Sequence, residues 1–292
     1  MPSFSLIIPT LGRTEELRTL LNSLHRQQMS DLEIIIVDQN ENRKVDQVLA
    51  SLPSSLAVTH LRQKRKSVSV ARNNGLAQSS GEIIAFPDDD CWYPDGLLPQ
   101  VQSWFEKNPK YEILAVGAKD ENGVPSGNRW VQDRCDIRPM NALRTTFCSS
   151  LFLRRKALPA DILFDEHRFF GEETDYILRL IKSGLHGRFD RTWHVVHPRR
   201  DMLSGTVSLE RAFKYGHGMG QLVRQHCNSF LWLGLLGYDL ARSLATSIRG
   251  NSSDANSCFS HAKGLFKGYL MDDSPQEALL SPHAVLNRSK AD

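Results

Sequence analysis

Three consecutive aspartates, Asp88, Asp89 and Asp90, stand between the apolar run Glu82–Phe86 and the segment Cys91-Trp92-Tyr93-Pro94-Asp95. The run reads as a buried strand, and the segment after it as a turn into a helix. Carboxylates this close repel one another, so their joint ionisation requires a cation among them. In an extended segment Asp88 and Asp90 face one side and Asp89 the other. Two oxygen donors on one side suit a hard divalent ion such as Mg2+ or Mn2+, which keeps coordination sites for substrate phosphates. For an acidic triplet taken alone, a solvated turn capping the next helix is the plainer alternative.

The elements that must position this triplet alternate in kind. Phe4–Ile8 is a short apolar strand ended by Pro9-Thr10-Leu11-Gly12. Thr14, at an N-cap position, and Glu15 and Glu16 then open an amphipathic helix over 14–28 that carries Leu17, Leu20, Leu21 and Leu24 at helical spacing. A second apolar strand, Glu33–Val37, ends at Asp38; a helix near 43–52, a weaker strand over 56–61 and a helix over 69–79 follow. Gly81 stops that helix, and the next strand delivers the triplet. Continuous apolar strands alternating with helices predict an α/β protein with a mainly parallel sheet covered on both faces. Functional residues in such sheets gather at the carboxyl ends of strands, where Pro9-Thr10, Asp38 and Asp88–Asp90 all fall.

The second half is patterned differently. Residues 95–107 read as a helix and Ile113–Ala118 as a strand, followed by a long polar loop from Asp120 to Arg138. Loops of that length are usually functional or mobile. Phe147–Leu153 returns to strand character, and Phe164–Phe170 is an aromatic-rich approach to Gly171. A helix over 172–182 opens with Glu172-Glu173-Thr174-Asp175 and buries Ile177, Leu178 and Ile181, which leaves its first acids to project elsewhere. Thr192–Pro198 is a short strand that carries His197. Residues 208–227 are helical and basic on one side, interrupted by Gly216, Gly218 and Gly220, and a polar tail over 251–292 reads as loosely structured.

The chain has 292 residues, 40% of them hydrophobic and 24% charged, with a formal net charge of +3. This is the composition of an ordinary globular protein, and the charge is too small to argue for a nucleic-acid partner. Basic residues cluster at Arg62, Lys64, Arg65 and Lys66, and at Arg199 and Arg200. Five cysteines without CxxC spacing fit no complete disulfide framework and point to a reducing cytoplasm. No secretory signal is expected at the N-terminus.

Ala71-Arg72-Asn73-Asn74-Gly75, the run Gly81–Phe86 into the triplet, the segment GEETDYILRL from Gly171 and His197 after a strand complete a pattern. In this order the motifs resemble family 2 glycosyltransferases of the GT-A (Rossmann-like) fold over residues 3–200, with a family-like extension to about 227. The resemblance implies a nucleotide-sugar-binding half over 1–118, an acceptor-binding and catalytic half over 119–204, and C-terminal amphipathic helices over 205–250. It implies metal-assisted transfer, with inversion, from a nucleotide-diphosphate sugar, UDP-linked by preference, to a hydroxyl acceptor on a glycan or a lipid-linked sugar. Asp38 would bond the base, while Pro9, Thr10 and Arg72 would line the nucleotide site. Asp90, Asp88 and His197 would hold Mn2+ or Mg2+, with Asp89 facing the ribose. The family places a Glu-Asp pair at the helix start; here it is Glu172-Glu173, so Glu173 takes the place of the base, with Glu172 the alternative and Asp175 in support.

Two other activities fit the pattern less well. A sugar-1-phosphate nucleotidyltransferase expects a Gly-rich phosphate loop after the first strand, which Pro9-Thr10-Leu11-Gly12-Arg13 does not supply. A catalytically inactive sugar-nucleotide-binding module is suggested only by the Glu at position 173. The C-terminal helices, with Lys214, Arg224 and Arg242 beside Phe230, Leu231, Trp232 and Leu233, fit either peripheral contact with an anionic membrane at the inner face of the cytoplasmic membrane or packing within the protein or on a partner subunit. The apolar run Phe230–Leu236 is too short to span a bilayer.

Overall fold

A computed structural model describes residues 2–53, 56–125, 133–168, 170–198 and 209–271. Arg199 and Arg200, residues 126–132 of the polar loop, Phe169, residues 205–208 and residues 272–292 of the expected tail lie outside the described residues. The chain forms two compact units, one of residues 1–166 with 173–199 and the other of residues 167–172 with 200–292.

The first unit is built on one sheet. Its strands are β1 (Phe4–Thr10), β2 (Leu32–Asp38), β3 (Ala57–Arg62), β4 (Ile83–Ala85), β5 (Ile113–Lys119), β6 (Arg134–Asp136), β7 (Leu151–Arg154) and β8 (Gly187–Val196). Their spatial order is β3-β2-β1-β4-β7-β5-β8-β6. β1 pairs in parallel with β2 and β4, β2 with β3, and β5 with β8. β7 is antiparallel to both β4 and β5, and β6 to β8. β1, β2, β3, β4, β5 and β8 therefore run one way, and their carboxyl ends share one edge. This is the mainly parallel α/β architecture expected.

The continuous apolar strands exist because both faces of the sheet are covered. Leu6, Ile8, Ile34, Ile36 and Ala85 point into one core with Leu17, Leu20, Leu21 and Leu24 of α1 (Glu15–His25), Val45 and Val48 of α2 (Lys44–Ala50), and Leu98 and Val101 of α4 (Leu97–Lys107). Ile7, Ile35, Val37 and Ile84 point into the other with Ala71 of α3 (Val68–Gln78) and Tyr176, Ile177 and Leu180 of α6 (Glu172–Lys182). Alternate strand residues thus serve opposite cores. Gly75 lets α3 lie directly on β1: a Cβ there would stand 2.3 Å from Ile7 Cγ2. At the start of β4, a Cβ on Gly81 would stand 2.5 Å from the Phe4 carbonyl carbon.

Several expectations are corrected. The polar stretch after Asp120 contains β6, whose three residues are too few to show an alternation. Pro139–Thr145 forms a short helix, α5, that the sequence pattern did not announce. β8 starts at Gly187 rather than Thr192, because its register to β5 slips between Val116 and Gly117 and breaks the period. Phe147–Leu153 begins as a 3-10 turn over Cys148–Ser150 before β7. Thr14 stands at the N-cap of α1 but makes no side-chain cap bond there.

The second unit holds α7 (Leu209–His226), α8 (Ser229–Ile248) and α9 (Ser252–Leu270). The loosely structured polar tail is overturned at 252–270, where Ala255, Cys258, Ala262 and Leu265 are buried at helical spacing. Their small size hid the stripe. The glycines of α7 do not interrupt it. A Cβ on Gly216 would lie 2.0 Å from the His261 carbonyl oxygen, and one on Gly264 would lie 2.1 Å from that of Phe213. Gly220 and Gly268 repeat the arrangement one turn on, so α7 and α9 touch backbone to backbone. Among the described residues no helix is long and apolar enough to cross a membrane.

Candidate active site

The triplet leaves β4 through Phe86 and Pro87 and turns at Asp89-Asp90. Each aspartate has its own partners. Asp88 Oδ1 accepts from Arg72 Nη2 at 3.1 Å, and its Oδ2 lies 3.8 Å from His197 Nε2. Asp90 Oδ1 lies 3.5 Å from the same imidazole nitrogen, while its Oδ2 pairs with Arg13 Nη1 at 2.9 Å. Asp88 and Asp90 therefore both turn an oxygen towards His197, with Asp89 directed elsewhere. Asp89 Oδ1 pairs with Arg13 Nη1 at 2.6 Å, and its Oδ2 accepts from Thr10 Oγ1 at 2.8 Å.

Burial pushes the Asp89 carboxyl above its ordinary range, against the pull of Arg13 and Thr10. For Arg13, burial acts the other way but is outweighed by Asp89 and Asp90, which hold its guanidinium above the usual value. Much of the cation demanded by three adjacent carboxylates is thus supplied by the chain itself, from Arg13 and Arg72. Sequence reasoning missed Arg13; the demand for a cation beside the triplet and the lone Arg in the facing strand-end loop were the available signal.

Asp38, at the end of β2, is fully buried. Its Oδ1 accepts from the Asn40 backbone N–H at 2.9 Å and from Asn40 Nδ2 at 2.8 Å, and its Oδ2 lies 3.1 Å from His60 Nε2. Asn40 Oδ1 accepts in turn from Gly12 N–H at 2.7 Å, and the Thr10 carbonyl from Gln39 N–H at 3.0 Å. The loops after β1 and β2 are stitched together in this way, with Pro9 and Thr10 buried at the seam. His60, on β3, is a second residue that sequence reasoning passed over.

The Ala71–Gly75 motif has a positioning role. The Asn73 side-chain amide brackets the Phe164 backbone, donating to its carbonyl and accepting from its N–H at 2.9 Å each. Phe164 stacks on Tyr176 with ring centroids 4.3 Å apart and meets Phe86 edge-on at 5.0 Å, and the Arg72 guanidinium lies over it at 5.4 Å. Tyr176 lies one turn along α6 from Glu173. The same cluster therefore fixes Phe86, just before the triplet, and the first turn of α6. Thr174 and Thr146 share a buried hydrogen bond at 2.8 Å, and Asp175 is held by Arg179 at 2.8 Å. Glu172 and Glu173 are half-buried at that turn.

His197 reaches the triplet from β8 by a local device. Trp92 and Val196 form an antiparallel bridge, each N–H donating to the other's carbonyl at 2.9 Å. The bridge ties the turn after Asp90 to the residue before His197. The structure thus gathers Thr10, Arg13, Arg72, Asp88, Asp89, Asp90 and His197 at one sheet edge, with Asp38 buried where the loops after β1 and β2 meet and α6 anchored alongside. Among the described residues no three His, Cys, Asp or Glu side chains are grouped to cage a metal ion by themselves.

Residues 5–159 match the family model described as glycosyl transferase family 2. The chain belongs to that family. It is 33% identical over 189 residues to the GalNAc(5)-diNAcBac-PP-undecaprenol beta-1,3-glucosyltransferase of Campylobacter jejuni, covering 63% of this chain and 61% of that protein. It is 25% identical over 240 residues to the glycosyltransferase AglE of Haloferax volcanii, covering 76% of this chain and 74% of that one. Among solved structures, S. aureus TarS 1-349 in complex with UDP-GlcNAc superposes with a TM-score of 0.61 over 91% of each chain at 16% identity. The mannosyltransferase PcManGT from Pyrobaculum calidifontis, in complex with GDP-Man and Mn2+, superposes with a TM-score of 0.56 over 98% of this chain and 81% of that one, also at 16% identity. This family 2 glycosyltransferase has the GT-A fold.

Proposed function

We propose that the protein is an inverting, metal-assisted glycosyltransferase that moves a hexosyl unit from a UDP-sugar to a hydroxyl of a lipid-linked glycan, in polysaccharide or lipid-linked glycan assembly. The observation that carries it is the shape of the acidic cluster: Asp88 and Asp90 each turn one oxygen onto an arginine and the other towards His197 Nε2. The two carboxylates are hard oxygen donors suited to Mn2+ or Mg2+. Such ions are commonly held by one or two carboxylates and completed by phosphate oxygens and water. Asp90 and Asp88 would hold the ion, with His197 as a further ligand or a diphosphate contact. It would stabilise the charge that builds on the departing diphosphate.

In this reading the nucleotide lies over the stitched loops after β1 and β2, against Pro9 and Thr10. Asp38 meets the base when the His60 ring moves off its Oδ2. Asp89 faces the ribose while it holds the Thr10–Arg13 loop through Thr10 and Arg13. Arg72 sits on the phosphate side. Glu173, at the first turn of α6, takes the proton as the acceptor oxygen forms its bond to the anomeric carbon. The bond from that carbon to the diphosphate oxygen breaks in the same displacement, the diphosphate leaves with the electron pair, and the anomeric centre inverts. The name of the Campylobacter relative supports a polyprenyl-diphosphate-linked acceptor, and with it peripheral contact with the cytoplasmic membrane.

The test is a thermal-shift panel of nucleoside diphosphates with and without Mn2+, followed by transfer assays on variants. One nucleotide, UDP by expectation, raises the melting temperature only with the metal, by an amount equivalent to roughly 2–4 kcal/mol near saturation. Asp90→Asn removes that metal-dependent shift. Glu173→Gln keeps the shift and loses transfer by roughly 10²–10⁴-fold. A protein that no nucleotide stabilises, or a Glu173→Gln enzyme with full transfer rate, overturns the reading.

A further inference from the structure

α8 is built inside out. A helix on the surface of a water-exposed domain turns its charges outward and its apolar side inward. Here no exposed residue of α8 is charged. Its outward face presents Phe230 (81% exposed), Leu233, Leu240, Leu244 (64%) and Ile248 (78%), with Tyr238 beside them. The exposed positions between them are glycine, alanine and serine. The face runs about 27 Å along the helix axis from Phe230 to Ile248.

Asp239, Ser243 and Trp232 of α8 are turned the other way, onto α9. Asp239 accepts from His261 Nδ1 at 2.6 Å, Ser243 Oγ donates to the Ala255 carbonyl at 2.8 Å, and Trp232 stacks on Tyr269 at 4.4 Å. Arg242 and Trp232, expected beside Phe230 and Leu233, are only partly exposed and leave that face uncharged. An apolar strip this long on a lone chain marks a surface that meets something apolar.

The charge around it selects the occupant. Residues 209–271 hold seven Lys and Arg against three acids. Each of those acids is bonded within the unit: Glu210 to Lys214 at 2.5 Å, Asp239 to His261, and Asp254 to Asn251 Nδ2 at 2.8 Å. Arg249, just past the last turn of α8, is exposed. A second copy offers Arg249 no free acid among the described residues of this unit, since all three are bonded within it. An anionic bilayer offers an apolar interior beneath a negative surface, which answers both features.

We propose that the outward face of α8 docks on an anionic lipid bilayer, with Phe230, Leu233, Leu240, Leu244 and Ile248 at the acyl boundary and Arg249 among the headgroups. The proposal deepens the lipid-linked acceptor reading and rests on it for the membrane concerned. The two fail separately, because docking is read by flotation and catalysis by transfer to a water-soluble acceptor analogue.

The test is flotation of the full chain with vesicles of phosphatidylcholine alone or of equal parts phosphatidylcholine and phosphatidylglycerol. Wild type floats with the mixed vesicles and much less with phosphatidylcholine alone. Leu244→Glu with Ile248→Glu lowers partitioning about tenfold or more, and Arg249→Glu lowers it about fivefold. Both variants keep the wild-type melting temperature and soluble-acceptor activity. Should the first not fold, Leu244→Ser with Ile248→Ser replaces it and again loses flotation. Wild type that stays with neither vesicle, or apolar-face variants that float as well as wild type, overturn the proposal. So does light scattering that shows a dimer dissolved by the apolar-face variants in a protein that does not float, which makes the face a contact between copies.

Discussion

The three aspartates are chemically identical in sequence and unequal in place. Asp88 and Asp90 share His197, and Asp89 is spent on Arg13 and Thr10. The triplet, Thr10 and Asp38 were legible because strand-end position and residue type announce them locally. Arg13 was not, because its partner Asp89 lies 76 residues further along the chain and only the parallel pairing of β1 with β4 brings the two together. Arg13→Ala leaves two nearly buried carboxylates without that cation, at a cost of about 3 kcal/mol near neutral pH. Without Arg13, burial and the Asp90 charge act on Asp89 against the Thr10 bond, and its folded pKa rises further above the unfolded value near 3.9. A group raised in this way favours folding at low pH and loses that contribution as pH rises through its folded value. Urea midpoints should therefore show the deficit of Arg13→Ala widening from about pH 4 to pH 7. A gap that is constant or narrows with rising pH would contradict the placement of Arg13.

At the scale of elements, β4 is short, and its register matters because it aims the triplet. Glu33 pins its approach: it accepts from Ser5 Oγ, from Ser80 N–H at 2.8 Å and from Ser80 Oγ at 2.8 Å, while Ser5 Oγ accepts from Gly81 N–H at 2.7 Å. Burial works against the Glu33 charge, yet the bonds from Ser5, Ser80 and Gly81 hold its carboxyl below the usual value. A carboxyl lowered in this way stabilises the fold above the unfolded value of 4.5 and loses that effect as pH falls through its folded value. The stability advantage of wild type over Glu33→Gln should be full at pH 7 and vanish on acidification, the opposite sign to Arg13→Ala; denaturant melts along a pH series measure it. Long apolar strands and the leucine-rich α1 were legible because burial on one or both faces leaves a strong period. β6 and α5 were too short to show one, and α9 buries alanine, cysteine and glycine, which carry little hydrophobic contrast.

At the scale of the molecule, the two compact units differ in internal logic. The α/β unit rests on large branched side chains, and the helical unit on glycines that let backbones touch. Gly216→Val would drive a side chain into the His261 carbonyl 2.0 Å from the Cβ position, and its damage should stay in the helical unit. Helical ellipticity and flotation should fall while the nucleotide-induced thermal shift of the α/β unit persists. Loss of that shift would show the units to be energetically inseparable. The order of the sheet carries a further consequence, for the timetable of synthesis. β7 lies between β4 and β5 but is made after both, so β3-β2-β1-β4 and β5 cannot join until residue 154 has left the ribosome. β8 then adds His197 beyond that join. A nascent chain stalled before β7 is an open half-sheet with a bare edge at β4, the kind of edge that recruits other chains. The chain's exposure to misassembly should therefore grow with the time the ribosome takes to cross the stretch from β5 to β7.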